Sequence, residues 1–175
     1  MTKKSPFKEI LPVKMLLLDV DGVLTSGDVI YNDDEAETKI FSVKDGLGIR
    51  LLMDSGIKVG IITGRSSGAL LARTRNLGID LVYDGVKDKE AILEKIVIEN
   101  ELRYDEIAFA GDDLPDIRVM KKTGCPFTIA DACPEVKDVA VYTTEKRGGR
   151  GAVREICELI LKTKGLWDQA IEKFL

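Results

Sequence analysis

Short apolar runs alternate along this chain with segments in which apolar residues recur every three or four positions. The recurring spacing is typical of amphipathic helices, and short unbroken runs are typical of buried strands. Six such runs predict strands, at residues 13–20, 57–63, 79–85, 106–113, 126–131 and 139–144. Strands that alternate with helices predict an α/β fold, in which a parallel sheet carries helices on both faces.

The intervening helices show expected boundaries or a clear apolar face. The helix after the first strand has Asp45 as its expected N-cap and Gly56 as its expected stop. Further helices are expected from about residue 67 to 77 and within residues 87–102. The clearest begins near residue 150, and its apolar stripe consists of Val153, Ile156, Cys157, Ile160 and Leu161.

Two segments depart from this alternation. Residues 28–43 contain two alternating runs about a polar turn, which predicts a small β-hairpin after the first strand. The tail, residues 163–175, places apolar residues on one side, namely Leu166, Trp167, Ala170, Ile171 and Phe174. That tail is expected either to dock on its own domain or to bind a partner. A length of 175 residues predicts one domain over 1–175, with its core at about 13–162.

Composition narrows the classes of function. The net charge of −4 and the scattered Lys and Arg residues give no basic patch for nucleic acid. The absence of histidine excludes histidine-based catalysis and histidine-ligated zinc. Three cysteines without CxxC spacing indicate reduced thiols in a cytoplasmic protein. The N-terminus lacks the apolar region of a signal peptide, and no apolar stretch is long enough to span a membrane.

Carboxylates follow two of the predicted strands. Asp19 and Asp21 come directly after the first strand, and the stretch GDDLPD, residues 111–116, ends the fourth. Thr63-Gly64-Arg65 ends the second strand. Because ligands bind at the carboxyl ends of the strands in an open parallel sheet, these side chains are expected to meet in one crevice.

The residue types suit phosphoryl transfer with a hard cation. Clustered carboxylates without His or Cys favour Mg²⁺ over Zn²⁺. One aspartate could attack phosphorus, and a second could protonate the leaving oxygen and later deprotonate water. Thr63 and a lysine, with Lys89 the best candidate, would stabilise the phosphoryl oxygens.

Each feature also has an ordinary structural explanation. Asp-Gly and Asp-Asp pairs form turns and helix caps, and Lys89 could be a solvated helix residue. The order of the features favours a catalytic site over these structural explanations. DxDG is followed by a threonine, then a lysine, then GDDxxD, each at a strand end or a helix start.

These residues resemble the haloacid dehalogenase (HAD) superfamily, over about residues 13–162. Within it, the chain is similar to the 3-deoxy-D-manno-octulosonate 8-phosphate (KDO 8-phosphate) phosphatases. The supporting stretches are LDVDGVLTSG, FSVKDGLGIRLL, ITGRSS, GVKDKEAIL, GDDLPDIRVM and RGGRGAVREICELIL. DxDG alone would indicate only the superfamily, whereas VKDGLGI and GGRGAVREICELIL are specific to the smaller group.

The resemblance implies a role for each matching residue. Asp19 would be the nucleophile and Asp21 the general acid/base. Mg²⁺ would be held by the carboxylates of Asp19 and Asp112 and by the backbone carbonyl of Asp21. Thr63 and Lys89 would stabilise the transferring phosphoryl group.

The rest of the acidic motif is less defined. Asp113 is expected to support the metal. Asp116 could instead lie on a helix face or contact the metal ligands without binding the metal itself, and this alternative stays open.

The resemblance also implies a Rossmann-like, capless phosphatase, because only the hairpin and one helix lie between the first two motifs. A capless member is expected to form a homotetramer, in which a hairpin or tail closes a neighbour's site. Arg65 is the candidate for binding the carboxylate of a sugar-acid phosphate, and Arg73 could reach a neighbouring subunit's ligand. The implied pathway is lipopolysaccharide sugar biosynthesis.

Three other functions stay open at this point. A phosphatase of a sialic-type nine-carbon 9-phosphate is the nearest, although Arg65 favours the eight-carbon substrate. A receiver-like phosphorylated signalling domain has similar chemistry but places its acidic pair after the first strand and its phosphorylated aspartate after the third. A catalytically idle scaffold would not need all four motifs to be filled.

Overall fold

A six-stranded parallel sheet forms the centre of the computed structural model, which describes residues 7–175. Its strands are β1 Met15–Leu18, β4 Lys58–Ile62, β5 Leu81–Tyr83, β6 Ile107–Gly111, β7 Cys125–Thr128 and β8 Tyr142–Thr143. Along the sheet the strand order is β5-β4-β1-β6-β7-β8. The predicted parallel α/β sheet is confirmed.

Strand β1 lies in the middle of the sheet and is buried along its whole length. Leu17 pairs with Gly60 of β4 on one side and with Phe109 of β6 on the other. A strand with neighbours on both sides and helices on both faces requires a continuous apolar sequence, which MLLL supplies. The three strands therefore end at one edge of the sheet, and this edge carries the polar motifs.

Helices cover both faces of the sheet. The helices are α1 Phe7–Ile10, α2 Val43–Asp54, α3 Gly68–Leu77, α4 Lys89–Glu99, α5 Ile117–Lys122, α6 Pro134–Val139, α7 Ala152–Thr163 and α8 Trp167–Ile171. One core cluster packs α2, α3 and α7 on one face, and a second packs α4, α5 and α6 on the other. Within residues 7–175, three 3-10 helices lie at Tyr104–Glu106, Leu114–Asp116 and Glu172–Phe174.

The predicted hairpin is present. Its strands are β2 Ile30–Tyr31 and β3 Glu37–Thr38, and they pair antiparallel with Tyr31 opposite Glu37. It lies between the first strand and α2, in the place where the sequence breaks its alternation of strands and helices.

Helix α2 starts differently from the prediction. Ser42 is its N-cap and accepts a hydrogen bond from the backbone N–H of Asp45, so the prediction of Asp45 as the N-cap is wrong. Ser42 lies three residues before Asp45, and its hydroxyl takes the N-cap position that such a side chain prefers. Gly56 follows the helix in the left-handed region, with φ +84°, and confirms the expected stop.

The apolar stripe of α7 is fully buried, as predicted from its spacing. The tail packs on its own chain, because Leu166, Trp167, Ala170 and Ile171 contact the core on the side of α2 and α7. Phe174 stays exposed. The short helices α1 and α6 were not predicted, since four and six residues are too few to show helical periodicity.

Residues 1–6 lie outside the described part of the chain. Two predictions fall partly on them, namely the start of the domain at residue 1 and an N-terminus without a signal peptide. Within residues 7–175, every helix is too short or too polar to cross a membrane.

Candidate active site

The loop after β1 carries Asp19 and Asp21 into a crevice at the carboxyl edge of the sheet. Asp19 follows the strand directly, and its backbone N–H donates to the carbonyl of Ala110 at 3.0 Å. Its side chain is buried. Gly22 turns the loop with φ +90°, and a Cβ there would lie 2.0 Å from Asp112 Oδ2. The glycine therefore permits the close approach of the loop to the carboxylate at the end of β6.

The end of β6 contributes two further carboxylates. Asp112 follows the strand, and its backbone N–H donates to Asp116 Oδ2 at 3.0 Å. Asp116 is 1% exposed although it is charged. Its side chain folds back against Gly111, where a Cβ would lie 2.5 Å from that of Asp116. The GDDxxD stretch thus makes a tight turn that points Asp116 into the crevice.

Lys89 is the first residue of α4 and neutralises part of this charge. Its Nζ donates to Asp116 Oδ1 at 2.7 Å and pairs with Asp19 Oδ1 at 2.8 Å. Asp88, the N-cap of α4, accepts two backbone N–H bonds and thereby sets the start of the helix. A buried ammonium is stable only when it is paired, and here two carboxylates share it.

The pKa values reflect three carboxylates around one lysine. Burial, followed by the charge of Asp116, raises the pKa of Asp19 to about 6, and Lys89 offsets this only in part. Burial and the charges of Asp19 and Asp116 raise the pKa of Asp112 to about 7. Burial opposes the charged form of Lys89, but its two aspartates outweigh burial and raise the pKa of the lysine.

The carboxylates fit a divalent cation. Asp19, Asp112 and Asp116 each offer an oxygen, and the three oxygens lie within 4.8 Å of one another. Asp112 Oδ1 is buried without a hydrogen-bond partner among residues 7–175. An unpartnered buried carboxylate oxygen is costly, and an oxygen-preferring cation such as Mg²⁺ would supply its missing partner.

Thr63 and Arg65 reach the same crevice from the end of β4. Thr63 is buried, and its Oγ1 accepts the backbone N–H of Arg65 at 3.4 Å. The crevice has a volume of about 350 Å³. Its lining includes the predicted residues Asp19, Asp21, Thr63, Arg65, Lys89, Asp112, Asp113 and Asp116.

Two of the predicted site residues, Asp113 and Arg73, lie outside the cluster of Asp19, Asp112 and Asp116. Asp113 lines the crevice, but its carboxylate is exposed and accepts the backbone N–H of Leu114 at 2.8 Å. Its role near the metal stays a prediction. Arg73 does not line the crevice of its own chain; its guanidinium donates to the carbonyl of Ser42 at 3.0 Å and stacks over Phe41.

Sequence reasoning missed Lys39 and left Asp116 open. Lys39 follows β3 of the hairpin and pairs with both Asp21 and Glu37, and its side chain is only 3% exposed. Because a lysine that directly follows a polar, two-residue strand has the pattern of a solvated charge, no local signal marks it. Asp116 could have been found from its place three residues after Asp113, where a turn brings a side chain back to the strand end.

Comparisons with known proteins identify the family of this chain. The model of the haloacid dehalogenase-like hydrolase family matches residues 73–156. The 3-deoxy-D-manno-octulosonate 8-phosphate phosphatase KdsC of Escherichia coli K12 is 43% identical over 162 residues, which cover 90% of this chain and 84% of that protein. This chain belongs to the KDO 8-phosphate phosphatase family of the HAD superfamily. The resemblance predicted from the motifs is therefore confirmed.

Solved structures of the family share the whole fold. The Moraxella catarrhalis KDO 8-phosphate phosphatase, solved with magnesium, phosphate and a KDO molecule, is 40% identical over 97% of both chains, with a TM-score of 0.94. A probable YrbI-family phosphatase of Pseudomonas syringae is 37% identical over 97% of both chains, with a TM-score of 0.95. The predicted HAD fold and the predicted class of phosphoric monoester hydrolase are confirmed.

Proposed function

We propose that this chain hydrolyses KDO 8-phosphate to KDO and inorganic phosphate with Mg²⁺ as its cofactor. The observation that carries the proposal is the group formed by Asp19, Asp112, Asp116 and Lys89, in a chain of the KDO 8-phosphate phosphatase family. The group sits at the carboxyl edge of the sheet, where a phosphate ester can enter the crevice.

Asp19 is the proposed nucleophile. Lys89 Nζ holds Asp19 Oδ1 at 2.8 Å, so Oδ2 is the oxygen that we assign to the attack on phosphorus. A bond forms between Asp19 and phosphorus while the ester P–O bond breaks, and a proton passes from the Asp21 carboxyl to the leaving alcohol oxygen. Water then attacks phosphorus and gives a proton to Asp21, and the bond from Asp19 to phosphorus breaks. Both aspartates return to their starting state.

The carboxylates of Asp19 and Asp112 and the backbone carbonyl of Asp21 are the proposed ligands of Mg²⁺. When bound, the ion neutralises the phosphate and carboxylate charges and polarises the phosphoryl oxygens. Thr63 Oγ1 and Lys89 Nζ would donate to the same oxygens. The proposed role of Asp116 is to hold Lys89, because its Oδ1 accepts a hydrogen bond from Lys89 Nζ at 2.7 Å.

Arg65 is the proposed contact for the carboxylate of the sugar acid. Its side chain is 43% exposed and lies at the crevice, within 3.7 Å of Asp21. A guanidinium binds a carboxylate through two parallel hydrogen bonds, which suits a substrate with a charge at each end. Arg73 is turned toward Ser42, so its proposed role requires the ligand of a neighbouring subunit.

A homotetramer in the cytoplasm is the proposed state of the protein. The hairpin region exposes a row of apolar side chains that a neighbouring subunit would cover, namely Val29, Ile30, Tyr31, Ile40 and Val43. The cysteines are free, which suits a reducing compartment. Light scattering on the purified protein tests the assembly, and a monomer at micromolar concentration would exclude it.

The test of function is phosphate release from KDO 8-phosphate, a sialic-type nine-carbon 9-phosphate and common hexose phosphates, each with Mg²⁺ or with EDTA. We expect kcat/KM for KDO 8-phosphate to be at least about tenfold higher than for any of the other esters, equivalent to about 1.4 kcal/mol of transition-state discrimination. Faster turnover of the nine-carbon ester would transfer the proposal to that substrate. Stable phosphorylation without release would favour the receiver-like alternative, and no release with or without Mg²⁺ would exclude a phosphatase.

A further inference from the structure

Four charged side chains form a closed ring beside the crevice. Lys39 Nζ contacts Asp21 Oδ1 and donates to Glu37 Oε1 at 3.1 Å. Arg65 closes the ring, since its Nη2 donates to Glu37 Oε1 at 2.9 Å and its Nε lies 3.7 Å from Asp21 Oδ2. Two members come from the hairpin and two from the strand ends of the sheet.

Lys39 is the most deeply placed member of this ring. Its side chain is 3% exposed, compared with 43% for Arg65. Removing an ammonium from water is costly unless carboxylates compensate it, and Lys39 contacts two of them. A lysine that only attached the hairpin to the domain could remain at the surface, where a single pair would cost less to form.

The contact with Lys39 also makes the two oxygens of Asp21 unequal. Oδ1 is held by the ammonium, whereas Oδ2 is buried without a hydrogen-bond partner in the part of the chain that the structure describes. Asp21 lines the crevice. Arg65 Nε lies 3.7 Å from Oδ2, beyond hydrogen-bond distance, so Oδ2 makes no hydrogen bond that a ligand would have to break. With Oδ1 fixed by the ammonium, Oδ2 is therefore the oxygen that can exchange a proton with a ligand.

We propose that Lys39 is a positioning residue, which holds Asp21 Oδ1 so that Oδ2 faces the alcohol and then the water of the two half-reactions. This inference rests on the proposed function. The proton moves from Oδ2 to the ester oxygen as the P–O bond breaks, and it returns to Oδ2 from the attacking water. Lys39 itself neither gives nor takes a proton and touches no reacting atom.

The role predicts an effect that depends on the leaving group. An alkoxide of a sugar needs the proton from Asp21, whereas 4-nitrophenolate leaves without it. Loss of Lys39 should therefore slow both steps with a sugar phosphate. With 4-nitrophenyl phosphate it should slow only the second step, in which Asp21 activates water. The first turnover then appears as a burst of nitrophenolate.

The experiment measures pre-steady-state and steady-state kinetics of Lys39→Met, Lys39→Arg and the parent enzyme. For Lys39→Met we expect kcat for the sugar phosphate to fall by at least about tenfold with KM changed by less than about threefold. The nitrophenolate burst should keep its rate within about threefold of the parent, followed by a slow steady state. Lys39→Arg keeps a charged donor and should recover most of the loss.

Lys121→Met is the matched control, because Lys121 is exposed at the end of α5, and it should behave as the parent. If Lys39→Met does not fold, Lys39→Gln keeps an uncharged N–H donor on a side chain one atom shorter and should show the same pattern with a smaller loss. A burst slowed as much as the steady state would reduce Lys39 to a structural residue, and unchanged kinetics would also overturn the inference. A parent enzyme without phosphatase activity would instead refute the proposed function.

Discussion

Asp45 caps a helix that begins more than a hundred residues later: its Oδ1 accepts the backbone N–H of Arg154 at 2.7 Å. Its Oδ2 accepts the N–H of Gly151 at 3.2 Å, so one carboxylate serves two free donors at the start of α7. Burial raises the pKa of Asp45, and these hydrogen bonds act in the opposite direction.

The capped helix start is connected to the active site. The loop before α7 packs on the loop that carries Asp19 and Asp21, and a Cβ on Gly148 would lie 1.5 Å from the carbonyl oxygen of Gly22. Gly149 donates its backbone N–H to the carbonyl of Val23 at 3.0 Å. The two stretches most specific to the family, VKDGLGI and GGRGAVREICELIL, are therefore joined by Asp45 next to the catalytic loop.

Asp45→Ala should destabilise the protein by about 1–3 kcal/mol, because it leaves the buried N–H of Gly151 and the partly buried N–H of Arg154 without an acceptor. Asp45→Asn keeps one acceptor oxygen and should cost less. Urea unfolding of both variants measures the difference. Asp54→Ala is the matched control from the other end of α2, where the carboxylate is 58% exposed and pairs with Lys173. The control should cost less than about 1 kcal/mol, and an equal cost for both alanines would contradict the capping role.

Asp45 also marks the limit of what the sequence reveals about this fold. The helix boundary itself was predicted within a few residues, because caps and stops are local signals. The partner of a buried carboxylate depends on the packing of α2 against α7, and a local pattern carries no information about that packing. Asp45 was accordingly assigned to its own helix.

In the active site, too, some residues could be predicted from the sequence, whereas others depend on tertiary contacts. Asp19, Lys89 and Asp112 could be brought together from the sequence, because parallel strands place their ends at one edge of a sheet. Lys39 could not be found, since its contact with Asp21 arises only when the hairpin folds over that edge. Asp116 was recognised as part of the motif, but its bond to Lys89 depends on where α4 starts.

Asp19→Asn should fold normally and lose at least about a thousandfold in turnover, because the amide cannot act as the nucleophile. Phosphate release from the preferred sugar phosphate measures the loss, and thermal unfolding checks the fold. Asp138→Asn, an exposed change on α6, is the control and should keep the parent rate. A rate for Asp19→Asn within about tenfold of the parent would assign the nucleophile to another residue.

Gly22→Ala should remove most activity through a contact with Asp112. The new Cβ would lie 2.0 Å from Asp112 Oδ2, so the loop or the carboxylate must shift. We expect kcat/KM to fall by at least about tenfold and Mg²⁺ to bind more weakly, which titration calorimetry measures.

Gly56→Ala is the matched control for this change. Gly56 has a similar φ of +84°, but in the described part of the chain no atom beyond its own chain neighbours lies within 4 Å of the position of its Cβ. The strain of about 1 kcal/mol is common to both variants and should appear in their unfolding free energies. If both variants lost activity equally, the strain of the backbone and not the contact with Asp112 would be the cause.

Stabilisation by Mg²⁺ should increase with pH across the neutral range. In the metal-free protein the pKa is about 6 for Asp19 and about 7 for Asp112, well above the values in an unfolded chain. Above these values both groups are charged and repel each other, so their contribution to stability falls as the pH rises from about 4 to 7. Mg²⁺ binds the charged forms and reverses this loss. The difference in Tm between Mg²⁺ and EDTA should therefore be large at about pH 8 and small at about pH 5.

Asp112→Asn removes one of the repelling charges, and it should raise the Tm in EDTA at high pH while it reduces the effect of Mg²⁺. A Mg²⁺ effect that is independent of pH would show that protons and the metal do not compete for these carboxylates.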